Sequence, residues 1–285
     1  AAAATTYPPA VHVLRDLALD VEVLEAGVTR GRLAARGGPE LPLGVLSTAV
    51  DVLAGAVCAR AISPDWMATS VMSLHLGDID PDAELLLDAE VLRAGRSAVT
   101  VEVEMRQDRT VGAAVLTFSR LPRRESTLVL PDTGGRPGDR YGFGGLDEGS
   151  GRIGGGVAGF DAAIGCHVEP GDPGRTGTEV TPYVRNSFGA VNGGVVAAVA
   201  DAAARALVGE PGRWRTVDLT ASFLGQGRIG PMVTSARLIR SVEHSQAVRV
   251  EVRDDGQIDD VGEGRLMVVA QVGLVPGMAA LREAE

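Results

Sequence analysis

Two aspartates stand alone inside long apolar stretches, and they are the residues best placed to do chemistry. Asp51 lies in the middle of residues 43–61 (LGVLSTAVDVLAGAVCARA), and Asp201 holds the corresponding place in residues 193–208 (GGVVAAVADAAARALV). Both stretches are apolar nearly all round, the pattern of a helix buried on every side, and Gly209 offers the second a C-terminal stop. An ionised carboxylate in such surroundings is costly unless it is satisfied. Each aspartate therefore either bonds a neighbour, such as the Thr48 hydroxyl, or works as a base or nucleophile. The second stretch begins with Gly193-Gly194, whose backbone N–H groups form the positive end of a helix and could receive developing negative charge. The bland alternative for this pair is close helix packing. Gly193 and Asp201 are eight residues apart, about 12 Å along one helix. One helix cannot bring both to a single reacting carbon, so a second element must supply the partner.

That element is written in the chain, because one pattern occurs twice. After the first helix, residues 69–76, 85–92, 98–106 and 111–119 are short alternating or β-branched runs that read as antiparallel strands. The second half repeats them at 216–224, 233–239, 247–253 and 266–274. The stretch VTVEVEMRQD (99–108) lies on AVRVEVRDD (247–255) at an offset of 147, which sets Glu251 on Glu104 and Thr216 on Thr69. The helix aspartates are instead 150 apart, and the loop 63–68 absorbs the difference. A further strand is expected before each helix, at 17–24 and 162–168. Residues 131–156 are dense in Gly, Pro and Asp, the composition of a linker. The expected organisation is thus a first domain over 1–122, a linker over 123–156 and a second domain over 157–285.

Composition narrows the function. Hydrophobic residues make up 45% and charged residues 22% of the 285, which is ordinary for a globular chain and too balanced for a disordered one. A net charge of −10 with no basic run longer than Arg123-Arg124 leaves no footprint for a nucleic-acid backbone. Cys58 and Cys166 have no CxxC spacing, which argues against a zinc site or disulfide framework and suits a reducing cytoplasm. His12, His75, His167 and His244 share no ligand spacing, so no metal is expected. Gly154-Gly155-Gly156 is followed by no βαβ unit and is not read as a dinucleotide loop. No stretch reaches the roughly 18 apolar residues of a membrane span, and the Ala1–Ala4 opening lacks the charged start of a signal peptide. A soluble protein is expected.

The second half resembles the PaaI-like, phenylacetyl-CoA-type thioesterases of the hot-dog superfamily. The carrying residues are Asn186, then Asn192-Gly193-Gly194, Asp201, Thr216-Val217-Asp218-Leu219 and Phe223-Leu224. Family members show an Asn, a His-Gly-Gly six residues later, an Asp eight beyond the first Gly, and a Ser or Thr opening the next strand; here Asn192 stands where His is usual. The first half matches more loosely, through Gly44, Asp51, Thr69 and the 93–106 strand, with Arg36 in the place of Asn186 and Pro42-Leu43 in that of Asn192-Gly193.

The resemblance implies an α+β fold of two hot-dog domains, each a curled antiparallel sheet around a long buried helix, packed as an intramolecular pseudo-dimer with antiparallel helices. It also implies two non-equivalent sites. One would join Asn186 and the Gly193 amide to Asp51 and Thr69, with the amide polarising a thioester carbonyl, Asn186 orienting that carbonyl or a water, and Asp51 acting as base or nucleophile. The other would join Asp201 and Thr216 to the degenerate entrance at Arg36 and Leu43. Asn192 and Gly194 would line the substrate, and Arg93, Arg96 and Arg240 are candidates for the phosphates of coenzyme A. The implied substrate is an acyl-CoA, with no cofactor beyond the CoA it carries, and a pair of double hot-dogs could associate again. Two other classes stay open: a non-catalytic acyl-CoA binder, and a hot-dog hydratase or dehydratase, whose chemistry wants a His beside the carboxylate.

Overall fold

The stretch around Asp51 is a helix in the computed structural model, which describes residues 7–25, 27–38, 40–62, 66–121, 136–143, 153, 157–209 and 212–277. The first half runs α1 (Val13–Leu17), β1 (Asp20–Glu25), β2 (Val28–Leu33), α2 (Leu43–Ile62), β3 (Trp66–Leu76), β4 (Leu85–Ala94), β5 (Ala98–Arg106) and β6 (Thr110–Leu121). After β7 (Arg140–Gly142), the second half runs α3 (Val157–Ala163), β8 (His167–Glu169), β9 (Asp172–Thr178), α4 (Gly193–Val208), β10 (Trp214–Phe223), β11 (Met232–Val242), β12 (Ser245–Ile258) and β13 (Gly264–Pro276). The apolar alternation explains the sheet faces. Val99, Val101, Val103 and Met105 of β5 are buried on the side that covers α2, as Val248, Val250 and Val252 of β12 are over α4.

Among the described residues, thirteen strands form one antiparallel sheet in the order β7-β1-β2-β4-β5-β6-β3-β10-β13-β12-β11-β9-β8. Read outward from the centre, the two halves have the same order, and they are fused where β3 pairs with β10. Ser73 lies opposite Thr220 in that pair, and these are equivalent positions at the 147-residue offset. A pseudo-two-fold axis therefore passes between them, with their hydroxyl oxygens 3.2 Å apart. This is the isologous contact of a symmetric dimer made within one chain.

Three expectations need correction. The segment 17–24 is not one strand, since Leu17 closes α1 and the strand opens at Asp20. Similarly, Ala162 and Ala163 end α3, and only His167 onward is extended. Each half also has a second strand before its long helix, β2 or β9. The sequence VTRGRL hides β2 because Gly31 interrupts its apolar pattern, yet Gly31 is closely packed: a Cβ would lie 3.1 Å from both Leu19 Cδ1 and Leu53 Cδ2. Within the stretch read as a linker, Arg140–Gly142 pairs with β1 and extends the sheet; residues 122–135 fall outside the described chain.

Candidate active site

Helices α2 and α4 pack against each other at glycine distance. A Cβ on Gly194 would lie 2.3 Å from the Cα of Thr48, so only glycine lets the start of α4 reach the middle of α2. The Ser47 hydroxyl donates across the contact to the Gly194 carbonyl at 2.8 Å. One consequence concerns Asp51: a Cβ on Gly193 would sit 3.0 Å from its Oδ2. The Gly193 and Gly194 amides favour the charged form of the Asp51 carboxylate, and the Thr69 hydroxyl donates to Oδ1 at 2.6 Å. A β-bulge between Thr69 and Val71 aims that hydroxyl. The bulge recurs between Thr216 and Asp218, where Thr216 donates to Asp201.

Asp51 is buried, and burial pushes its carboxyl above the usual range although Thr69 and the two amides pull the other way. Beside it opens a cavity of about 200 Å³. Of the chain's five phenylalanines, Phe118, Phe143, Phe188 and Phe223 line this cavity, and Asp51 is the one charged residue among its described lining. No histidine lines it among the described residues. Cys58, two turns on from Asp51, is no rival nucleophile, because burial and the nearby aspartate push its thiol up to about 12.

The structure brings Asp51, Thr69, Asn186, Asn192 and Gly193 around this one cavity. The Asn186 carboxamide oxygen accepts from the Phe188 and Ala190 amides at 2.9 and 3.2 Å, and its Nδ2 reaches the Val191 carbonyl at 3.4 Å. It organises its own loop, as a turn asparagine does. The Gly193 amide lies beside the Asp51 carboxylate and favours its charged form. Asn192 caps α4, its Oδ1 accepting from the Gly194 amide at 2.9 Å. Behind the cavity, the buried Asp254 collects the amides of Arg228, Ile229 and Gly230, which fixes the loop carrying Gln226.

The arginines are not in the cavity. Arg93 and Arg96 are exposed on the β4–β5 hairpin, at the sheet end where Ala98 pairs with Ser119 and Ser119 with the cavity residue Ala68. Arg240 pairs with Ala247, on the hairpin whose Gln246 joins through Leu274 to Thr216, which assigns it to the other site. Arg36 donates to the Leu17 and Asp16 carbonyls at the end of α1.

At Asp201 the same frame is filled. Arg205, one turn along, donates from Nε to Asp201 at 2.8 Å and from Nη2 to Asp161 at 3.0 Å. Burial works against the guanidinium's charge, yet the two carboxylates more than offset it and hold its pKa above the ordinary value. Over the start of α2, next to the buried Leu43, the Phe160 ring presses so closely that a Cβ on Gly44 would lie 2.3 Å from it. Arg205 answers to Gly55 at the helix offset, and Gly55 lines the open cavity. Setting the helices side by side would have revealed Arg205 as the difference between the halves.

Two curled half-sheets, each holding a helix and joined so that a carboxylate of one half meets the helix start of the other, define a double hot-dog. Solved structures share the architecture. A Thermobifida fusca protein described as thioesterase II is 17% identical with a TM-score of 0.58, over 95% of this chain and 99% of that one. The tesB protein of Mycobacterium avium subsp. paratuberculosis is 14% identical with a TM-score of 0.55, over 87% and 92%. A protein of unknown function with a hot-dog fold from Alicyclobacillus acidocaldarius is 14% identical with a TM-score of 0.54, over 92% and 96%. No curated protein matches. The family described as Acyl-CoA thioesterase N-terminal domain matches residues 44–119 and 181–274, one stretch in each half and more than half of the chain. The chain belongs to this acyl-CoA thioesterase family and is a thioester hydrolase.

Proposed function

We propose that the protein hydrolyses an acyl-CoA at the cavity shared by its two halves, with Asp51 as general base. The observation that carries this reading is the Asp51 carboxylate, raised in pKa and held at the start of α4, facing an otherwise uncharged apolar cavity. A base of raised pKa works near neutral pH. Asp51 takes a proton from water, the hydroxide oxygen adds to the thioester carbonyl carbon, and the C–S bond breaks. The sulfur leaves as thiolate and is protonated, giving a carboxylic acid and coenzyme A. Asp51 Oδ1 already accepts from Thr69, which favours a base acting through water over direct attack.

The four phenylalanines support an uncharged, apolar acyl group. Arg93 and Arg96, at the cavity end of the sheet, are suited to the CoA phosphates. The kinship we read in the second half is to PaaI-like enzymes, and a cytoplasmic setting suits two free thiols, Cys58 and Cys166. The absence of histidine from the described lining weighs against hydratase chemistry.

Thiol release from a panel of acyl-CoAs tests the reading. Asp51→Asn should lose on the order of 10²-fold or more in kcat, and Asp201→Asn should lose little. Wild-type protein that releases no thiol from any member, or the reverse order of the two variants, overturns it.

A further inference from the structure

We propose that Ser73, His75 and Asp218, on the outer face of the sheet, form a nucleophile, its base and the carboxylate that orients the base, and that they accept acyl groups from activated esters. The site is separate from the cavity and does not depend on the hydrolytic reading above. His75 and Asp218 are register partners across the seam between β3 and β10, as are Ser73 and Thr220. His75 Nδ1 lies 2.5 Å from Asp218 Oδ1, His75 Nε2 lies 3.4 Å from Ser73 Oγ, and Ser73 Oγ lies 3.2 Å from Thr220 Oγ1. These contacts join the atoms that nucleophilic acyl transfer requires, carboxylate to one ring nitrogen and hydroxyl to the other.

The protons follow from what each group can donate. An ionised carboxylate only accepts, so Nδ1 carries the ring proton of neutral His75, and Nε2 accepts from the Ser73 hydroxyl. Ser73 has one proton to give, which leaves Thr220 as the donor to Ser73 Oγ. The repeat does not require this grouping. At the 147-residue offset His75 answers to Ser222 and Asp218 to Val71, and Ser222 and Val71 are themselves register partners across the pseudo-two-fold. The symmetric position thus has neither base nor carboxylate. Met72 and Leu74 are buried on the core side of β3, so the alternating Ser73 and His75 face solvent, where a substrate can reach them.

The surroundings define the class of substrate. Ser73 sits in a strand paired on both edges, with Thr220 and with Val115, so the backbone amides beside it belong to the ladder. The Thr220 hydroxyl, already against Ser73 Oγ, is the donor in place for an oxyanion. One hydroxyl on an open face stabilises that charge less than fixed amides in an enclosed site, so the leaving group has to be a good one, such as the phenolate of an aryl ester. Val71 and Val115 flank Ser73 and are 38% and 37% exposed, which offers a small apolar acyl group a surface. His75 Nε2 takes the Ser73 proton, Oγ bonds to the acyl carbon, and the phenolate departs with the electron pair of its C–O bond while the imidazolium returns its proton to solvent. Water then gives a proton to the same nitrogen, its oxygen adds to the acyl carbon, and Ser73 Oγ leaves with that proton.

The test is made in the Asp51→Asn chain, so that the cavity does not contribute, and at about pH 8, which keeps imidazole side chains unprotonated. Hydrolysis of para-nitrophenyl acetate should fall about tenfold or more when Ser73→Ala or His75→Gln is added, and by less with Asp218→Asn. Melting temperatures should stay near the parent's, as exposed substitutions allow. A fluorophosphonate should attach to Ser73, read by mass spectrometry of the peptide, and should fail to attach in His75→Gln. In the otherwise wild-type chain, Ser73→Ala should leave thiol release from acyl-CoA unchanged; a loss there would place Ser73 in the service of the cavity and defeat the proposal. Ester hydrolysis unchanged by Ser73→Ala, no adduct, or an adduct on another residue overturns it. A loss in His75→Gln with none in Ser73→Ala overturns it too, because the imidazole would then act alone.

Discussion

Asp51 and Asp201 are the same residue type at the same place in the repeat, yet their surroundings give them opposite roles. Asp201 is neutralised by Arg205 and bonded by Thr216. Asp51 has a hydrogen-bond donor in Thr69 but no cation among the described residues, so burial dominates and its pKa rises. A carboxyl whose folded pKa exceeds its unfolded value stabilises the fold fully below the unfolded value. That contribution is lost as pH rises through the folded pKa, because the ionised form is then held in an unfavourable place. Asp51→Asn should accordingly melt no lower than wild type at pH 8, and its advantage should shrink as the pH is brought toward 4. Thermal melts across that range check this. An asparagine variant that melts well below wild type at pH 8 would mean that the carboxylate is structural. In the wild type, kcat/KM should fall toward acid through an apparent pKa above the ordinary carboxylate value.

At the scale of elements, the site depends on one close helix crossing and one bulge. The crossing tolerates no side chain at Gly194, since a Cβ would meet the backbone of Ser47 and Thr48, which cannot swing aside as a flexible side chain would. Gly194→Ala should push α4 off α2, costing about 1–3 kcal/mol as overpacking does, and should draw the amides away from Asp51. Denaturation and thiol-release assays on the same preparation should show stability and kcat falling together. Unchanged values in both would mean that the helices can separate without consequence. The bulge acts on the other partner. The extra residue between Thr69 and Val71 turns the Thr69 hydroxyl to Asp51, and its recurrence at Thr216 shows the device to be part of the repeat.

On the scale of the whole molecule, two halves of the same strand order carry one open cavity and, at the equivalent place, the Asp161–Arg205–Asp201 cluster. The pseudo-two-fold between Ser73 and Thr220 gives both carboxylates the same frame, and the side chain one turn later decides the outcome: glycine at 55, arginine at 205. The filled site ties α3 to α4 through Asp161, Arg205 and Asp201. Removing the shared cation leaves two carboxylates without their partner, and breaking a buried pair in this way costs about 3–5 kcal/mol. Arg205→Ala should lose stability of that order in urea titration, while kcat at the Asp51 site, measured where the variant is still folded, stays near wild type. A variant as stable as wild type would show that the cluster holds nothing together.

Read alone, the sequence determined the repeat, both long helices, the four strands that follow each, and the aspartate at each helix centre. These follow from short-range periodicity and from the rise of a helix, which by itself required that Asp51 find its partner in the other half. Strand β2 escaped because its glycine answers to Leu19 and Leu53, neither of them a chain neighbour. The direction of Asn186, the approach of Gly193 to Asp51 and the filling at Asp201 were decided only when the chain folded. Asn186 and Gly193 each carry donors or acceptors that could serve a ligand or a neighbour, and local sequence does not say which lies within reach. A cavity is likewise the space left by segments far apart in the chain, here from Tyr7 to Val268, and its existence is a property of their packing.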